Sequence, residues 1–248
     1  MFATFKRLFK TPDRPPVTDA EMFAIGDIHG RCDLLVKLMA QIDRAATTDR
    51  PELIFLGDYI DRGPDSASVI DHLLTGERFA AYDTVFLKGN HEATLLEFLT
   101  NPGVGPSWMQ YGGGETLASY GVAPPLMKTD PQAWAEASQA LSKAIPPDHL
   151  AFLNGLRPAV ERGPYFFVHA GVDPAEPLSE QSEDDLLWIR EAFLSDTRRL
   201  ERIIVHGHTP EPEPHRDDRR IGLDTGAYQT GRLTAARIQR DDVSFIST

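Results

Sequence analysis

MFAIGDIHG (Met22–Gly30), LIFLGDYIDRG (Leu53–Gly63) and TVFLKGNHE (Thr84–Glu92) are built alike. Each has a short apolar run, a glycine, and then charged, amide or imidazole side chains. Apolar runs of this length predict buried strands over Met22–Gly26, Leu53–Gly57 and Thr84–Leu87. A helical pattern follows each strand. The first covers about Asp33–Ala45, with Leu34, Leu35, Leu38, Met39 and Ile42 on one face. The second covers Ser66–Leu74, with Val69, Ile70, Leu73 and Leu74 inward, and the third runs through Leu99. Strand, turn and helix repeated three times predict an α/β fold of βαβ units around a mostly parallel sheet.

Working outward, Asn101–Leu156 breaks the pattern. It is rich in Gly and Pro, carries Trp108, Trp134 and the Gly112–Gly114 run, and shows helical patches near Gln132–Ala144 and Asp148–Leu153. Long insertions in such folds tend to be functional, so this one is expected to be helical and to lie over the site. Strands resume at Pro158–Arg162 and Tyr165–Val168, a helix is expected over Asp184–Leu194, and Ile203–Val205 leads into His206-Gly207-His208. Ile221–Leu223, Leu233–Ile238 and Val243–Ile246 are expected to be antiparallel strands. Residues 1–20 form an extension and a proline-rich linker, and 21–248 form one domain.

The chain has 248 residues, 37 acidic against 25 basic, for a net charge of −12; 41% of residues are hydrophobic. That is a soluble globular composition with enough chain for a full core. The acidic balance argues against nucleic acid as a partner, because phosphate neutralisation needs a basic face. The single cysteine, Cys32, cannot form an internal disulfide, and it reads as a small buried residue. No stretch approaches a membrane span. Met1–Lys10 is amphipathic but has no signal-peptide apolar region, so it fits a short docking helix or an extension of the domain, not a firm membrane anchor. These features point to a cytoplasmic enzyme.

The chemistry collects in one kind of place. Asp27, His29, Asp58, Asn90, His169 and His208 each fall just past an apolar run, as do five of the eight histidines. In a mainly parallel sheet those ends share one edge, where such sheets place their sites. Taken singly, Gly26-Asp27 fits an ordinary turn, and Gly89–Glu92 fits a helix start capped by Asn90, with Glu92 in its first turn. Their common position is what those separate readings leave unexplained. Oxygen and imidazole donors without thiolate suit Mn, Fe or Zn. A carboxylate shared between two such ions would hold them ~3.5–4 Å apart.

GDIHG (Gly26–Gly30), GDYIDRG (Gly57–Gly63), GNHE (Gly89–Glu92), HAG (His169–Gly171) and HGH (His206–His208) together resemble the phosphoprotein phosphatase branch of the calcineurin-like metallophosphoesterases. GGETLASYG (Gly113–Gly121), LLWIRE (Leu186–Glu191) and LDTGA (Leu223–Ala227) are similar to bacterial and bacteriophage lambda-type serine/threonine protein phosphatases. The resemblance spans about Met22–Ile238. It implies a four-layer αββα sandwich holding two divalent metal ions, Mn²⁺ first and Fe or Zn as substitutes. It also implies that Asp27 and His29 hold one metal, that Asp58 bridges, and that Asn90, His169 and His208 hold the other. His206 would stand behind His208.

Within that frame Arg62 and Arg190 are the phosphate-binding residues, since planar guanidinium forks match phosphoryl oxygens. His91 follows a ligand, and Asp61 lies three residues past another. An Asp on one imidazole nitrogen keeps the ring protonated and aimed, so His91 is the expected general acid and Asp61 its partner. The reaction implied is phosphomonoester hydrolysis by a metal-bridging hydroxide on a phosphorylated protein. A small phosphoester or dinucleoside polyphosphate hydrolase stands as the alternative, with Trp108 or Tyr111 as the aromatic wall of a nucleotide pocket. An inactive phosphoprotein-binding module is the third reading. Pro210, where nucleases of this fold commonly carry histidine, favours the phosphatase branch. So do Asp61-Arg62-Gly63 and Glu92, which diadenosine-tetraphosphatase members usually replace.

Overall fold

The structure is a computed structural model that describes residues 14–15, 19–75, 77–127 and 129–248. The amphipathic Met1–Lys10 segment lies outside the described residues. The first half runs β1 (Glu21–Ile25), α1 (Cys32–Ala45), β2 (Glu52–Phe55), α2 (Ser66–Thr75), β3 (Asp83–Phe86) and α3 (Asn90–Thr100). Next come α4 (Gly105–Trp108), α5 (Gly113–Ser119), α6 (Pro131–Ala144) and α7 (Pro147–Asn154). The second half holds β4 (Ala159–Arg162), β5 (Tyr165–Val168), α8 (Glu183–Trp188), α9 (Glu191–Leu194), β6 (Ile203–His206), β7 (His215–Arg216) and β8 (Arg220–Gly222). The chain closes with α10 (Ala227–Thr230), β9 (Thr234–Gln239) and β10 (Asp242–Ser247).

Two five-stranded sheets form, β10-β9-β1-β2-β3 and β4-β5-β6-β8-β7. In the first, β1, β2 and β3 run parallel, with Phe23 beside Leu53 and Leu53 beside Thr84. In the second, β5, β6 and β8 run parallel and β4 and β7 antiparallel. Side chains alternate across a strand, so each strand feeds two cores. Met22, Ala24, Ile54 and Leu56 face Phe167, Val205 and Ile221 between the sheets. Phe23, Ile25, Leu53 and Phe55 point the other way, onto α1 and α2, while Phe166, Val168 and Ile204 meet α8 and α9. The result is helix, sheet, sheet, helix: the expected sandwich. Each fully buried Leu, Ile, Met or Phe contributes roughly 1.5–3 kcal/mol of hydrophobic stabilisation.

The apolar stripe of α1 is buried as its spacing predicts, at Leu34, Leu35, Leu38, Met39 and Ile42. Other expectations need correcting. Leu74, expected inward on α2, is 40% exposed, because the helix rolls Val69, Ile70 and Leu73 onto the sheet. The strand at Ile221 is not part of an antiparallel C-terminal set. It forms as β8 and runs parallel to β6, and the unforeseen β7 pairs beside it. Cys32 is only partly buried, at the start of α1. The helix expected over Asp184–Leu194 is broken. Ser182 caps α8 by accepting from Asp185 N, the turn closes at Ile189, and Arg190 adopts φ −132°, ψ −94° before α9 begins.

The insertion is part of the core and not a separate cover. Trp108, Leu117, Trp134, Leu141 and Leu153 belong to the same apolar cluster as Phe23 and Phe55. It packs against α2 and α3 and reaches the loop after β2.

Candidate metal centre

The parallel strands of both sheets end at one edge. There β1 leads into Asp27 and His29, β2 leads into Asp58, and the start of α3, just past β3, supplies Asn90 and His91. From the other sheet β5 delivers His169, β6 delivers His208 and β8 delivers Asp224. All eight are buried. Asp58 stands at the centre: its Oδ2 lies 3.5 Å from His29 Nε2, 3.4 Å from His169 Nε2 and 3.8 Å from His91 Nε2. His169 Nε2 also lies 2.9 Å from Asn90 Oδ1 and 3.2 Å from His208 Nδ1. Asp27 accepts the His208 backbone N–H on both carboxylate oxygens.

The hydrogen bonds fix what these groups offer. His29 Nδ1 donates to Ile60 O (2.8 Å) and His169 Nδ1 donates to Leu56 O (2.9 Å). Each ring therefore turns an Nε2 lone pair toward the Asp58 carboxylate. Carbonyl-held imidazoles aimed this way are the usual form of a metal-ligating histidine. Burial drives His29 down to about 3 and His208 down to about 2, and it lowers His169 as well, so desolvation opposes a positive charge on each of these rings. Burial raises the Asp58 carboxyl, but His169, His91 and His29 together draw it below its usual range. Asp27 is pushed well up by burial, then by the charges of Asp224 and Asp58. Lone pairs facing carboxylates at 3.4–3.5 Å, with His29 Nε2, His208 Nε2 and Asp224 Oδ2 left without partners, fit cations and little else. Two groups that share Asp58 emerge, one with His29, beside which His91 lies, and one with His169 and His208. That is a dinuclear arrangement.

Local backbone geometry is strained to make it. Six non-glycine residues among those described have left-handed φ, and five are here: His29 (47°), Asp58 (52°), Asp61 (69°), Arg62 (67°) and His208 (63°). Such conformations persist only where surrounding bonds over-determine them. Glu92 supplies many of those bonds. Its two oxygens accept the N–H groups of Asp58, Tyr59, Ile60 and Gly89. Burial and the Asp58 charge push its carboxyl up to about 8. Yet it meets four donors and no acceptor, so this geometry fits the carboxylate. Glycine is required at two contacts: a Cβ on Gly89 would sit 2.1 Å from Asp58 Oδ1, and one on Gly207 would sit 2.0 Å from Asp27 Oδ1.

His91 and Asp61 also meet. His91 Nδ1 donates to Asp61 Oδ2 at 2.6 Å, which leaves Nε2 on the Asp58 side. Burial opposes protonation of His91, but the Asp58 charge and the Asp61 bond carry it above its usual value. Arg62 stacks on Tyr228, 4.9 Å from the ring centre, and Tyr228 in turn meets the His29 ring edge. Arg190 Nη1 donates to His208 O (3.1 Å) and Thr209 Oγ1 (3.2 Å). The break after α8 is what turns it there. All ten residues singled out from the sequence thus converge.

Some local readings change. The cap of α3 is Gly89, not Asn90, which frees the Asn90 amide for the site. His206 turns away from His208: its Nδ1 donates to Gly207 O and its Nε2 accepts from Arg220. Trp108 is no aromatic wall, because it is buried with Nε1 on Asp61 Oδ2 (2.7 Å). Tyr111 is 58% exposed, and Trp188, 45% exposed with its ring edge toward His208, is an aromatic at the site that the sequence reading missed. Its place two residues before Arg190 was the available signal.

The calcineurin-like phosphoesterase family matches residues 22–246. The chain belongs to the calcineurin-like phosphoesterases. It is 28% identical over 226 residues to serine/threonine-protein phosphatase 2 of Escherichia coli (strain K12), covering 88% of this chain and 93% of that protein. It is 25% identical over 248 residues to the bis(5'-nucleosyl)-tetraphosphatase PrpE of Anoxybacillus flavithermus (strain DSM 21510 / WK1), covering 90% and 93%. A solved structure provisionally named a diadenosine tetraphosphatase superposes with TM-score 0.62 at 22% identity, covering 95% of this chain and 98% of that one. The shared chemistry is phosphoester hydrolysis at a metal centre. No helix among the described residues is long and apolar enough to cross a membrane.

Proposed function

We propose that this phosphoesterase is a serine/threonine protein phosphatase, working in the cytoplasm with two divalent cations, Mn²⁺ first. Asp27 and His29 would hold one ion, Asn90, His169 and His208 the other, and Asp58 both. When bound, two such ions supply charge neutralisation and bring the pKa of a water from 15.7 toward ~7. Arg62 and Arg190, anchored by Tyr228 and by His208 O, take the phosphoryl oxygens. His91 Nε2 gives its proton to the leaving oxygen while Asp61 keeps Nδ1–H and the ring plane fixed.

The buried His91–Asp61 pair carries the choice of substrate. A serine or threonine alkoxide is a poor leaving group unless protonated. A nucleotide leaving from a polyphosphate chain is already a stable anion and gains little from a general acid. The conversion of Trp108 from base platform to Asp61 brace removes one support for a nucleotide pocket. The dinucleotide reading keeps one specific support, the exposed Trp188 edge-on to His208.

The deciding experiment compares turnover of a phosphoserine peptide with that of diadenosine tetraphosphate by metal-stripped protein restored with Mn²⁺. Faster peptide turnover is expected. Faster nucleotide turnover would make Trp188 the base platform and the dinucleotide the substrate. Two bound metals with silence on both would leave a phosphoprotein-binding module.

A further inference from the structure

Asp61 is fully buried, and its carboxylate takes three donors. Oδ2 accepts His91 Nδ1–H (2.6 Å) and Trp108 Nε1–H (2.7 Å), and Oδ1 accepts the Thr116 hydroxyl (2.6 Å). Two of the three come from the insertion, Trp108 from the end of α4 and Thr116 from within α5. The bond directions are forced. A carboxylate only accepts, so Thr116 gives its proton to Oδ1 and must itself accept from the Ser66 hydroxyl (2.9 Å) and from Asp61 N (2.9 Å). One threonine therefore holds both the main chain and the carboxylate of Asp61. Next to it, Arg62 N donates to Gly112 O (3.1 Å), so the insertion holds both residues of the left-handed pair Asp61-Arg62, with Ser66 Oγ of α2 also accepting from Asp61 N (3.0 Å). The indole is itself pinned: it packs 5.0 Å from Phe98, and a Cβ on Gly113 would strike it at 2.4 Å.

We infer that Trp108 and Thr116 are positioning residues for proton transfer by His91, so that the insertion is a working part of the general acid. The inference rests on the reading of His91 as that acid. In the step concerned, water forms the new P–O bond, and the P–O bond to the leaving oxygen breaks with its electron pair staying on that oxygen. The oxygen takes the His91 Nε2 proton, and the proton lost by the water later restores His91. Asp61 can hold the ring in line only if its own carboxylate cannot turn. Removing the Trp108 or Thr116 donor frees a buried lone pair to swing or to grip Nδ1–H differently, and the aim of Nε2 is lost. The loss should therefore grow with the basicity of the leaving group, which a merely structural brace would not cause.

The test uses the full chain loaded with Mn²⁺ and measures kcat and KM on a phosphoserine peptide and on aryl phosphates of rising leaving-group basicity. Trp108→Phe keeps the packing and drops the N–H, Thr116→Val drops the hydroxyl, and Thr116→Ser keeps it. Trp108→Phe and Thr116→Val should each lose roughly 10-fold or more in kcat on the peptide, roughly threefold or less on nitrophenyl phosphate, and little in KM, while Thr116→Ser restores the peptide rate. Equal losses on every substrate, a Thr116→Ser as poor as Thr116→Val, or loss of bound metal in either variant would overturn the inference. If Trp108→Phe fails to fold, the Thr116 pair, differing by one hydroxyl, still decides. His91→Gln run beside them separates the two levels. Equal losses there sink the general-acid reading itself, whereas a leaving-group-dependent His91→Gln with flat Trp108 and Thr116 variants sinks only this inference.

Discussion

At the N-terminal end of β1, the buried Glu21 is fully satisfied within the chain. Its carboxylate accepts the N–H and hydroxyl groups of Thr47 and Thr48 and pairs with Arg237 at 2.6 Å. Beside it Glu52, at the start of β2, pairs with Arg162, also at 2.6 Å. At the C-terminal end of the same strands, Asp27 is crowded by the charges of Asp224 and Asp58, and among the described residues the ion-pair partners of Asp58 are the imidazoles of His29, His91 and His169. The backbone differs in the same sense: strain gathers at the second end, in His29, Asp58, Asp61, Arg62 and His208. One end of the sheet spends its charges on stability, and the other leaves them to be completed by ions from solution.

Asp58→Asn should break the contrast most severely. It removes the shared carboxylate, and turnover of both peptide and nitrophenyl phosphate should fall by on the order of 10³ or more. Near-normal rates would mean Asp58 is not the bridge. His91→Ala comes next, with a loss of ~10²–10⁴ on phosphoserine and far less on nitrophenyl phosphate. Steady-state kinetics on the two substrates check it, and matched losses would remove the general acid from the account.

Stripping the metals should act on stability as well as on rate, because the carboxylate cluster then goes uncompensated. At about a hundredfold excess over the dissociation constant, a bound ion is worth roughly 2.7 kcal/mol, or about 5–10 °C in a chain of this size. Thermal unfolding with and without Mn²⁺ should show that shift in the native protein and little of it in Asp58→Asn. The smallest effect belongs to the other end. Thr47 and Thr48 N–H groups and Arg237 outweigh burial and bring Glu21 down to about 2 from 4.5. A depressed carboxyl stabilises above its unfolded pKa and loses that contribution as pH falls through the folded value. Glu21→Gln should therefore cost on the order of 2 kcal/mol at neutral pH, and its gap from the native protein should close between about pH 4.5 and 2. A pH-independent gap would mean the ion pair is not what matters.

The same two-ended contrast explains what could be read in advance. Asp27, His29, Asp58, Asn90, His169 and His208 were legible because each stands just past its own apolar strand, so local pattern and sheet direction suffice to gather them. The four-layer sandwich was legible through the family motifs, while the strand pattern alone suggested a single mostly parallel sheet. What escaped depends on contacts between distant segments. Glu92 looks like a first-turn helix residue until the loop after β2 folds onto it. Trp108 looks like a free aromatic until its indole finds Asp61. Helical periodicity runs straight through Ile189-Arg190, and only the contact of Arg190 with His208 O shows the value of the break.

The central claim is that the strand-end cluster is a two-cation site organised by Asp58. Calorimetric titration of the metal-stripped chain with Mn²⁺ tests it most directly. Two equivalents in the native protein, with one or none in Asp58→Asn, is the result this account predicts. A single equivalent in the native chain, or two retained without the Asp58 carboxylate, would contradict it.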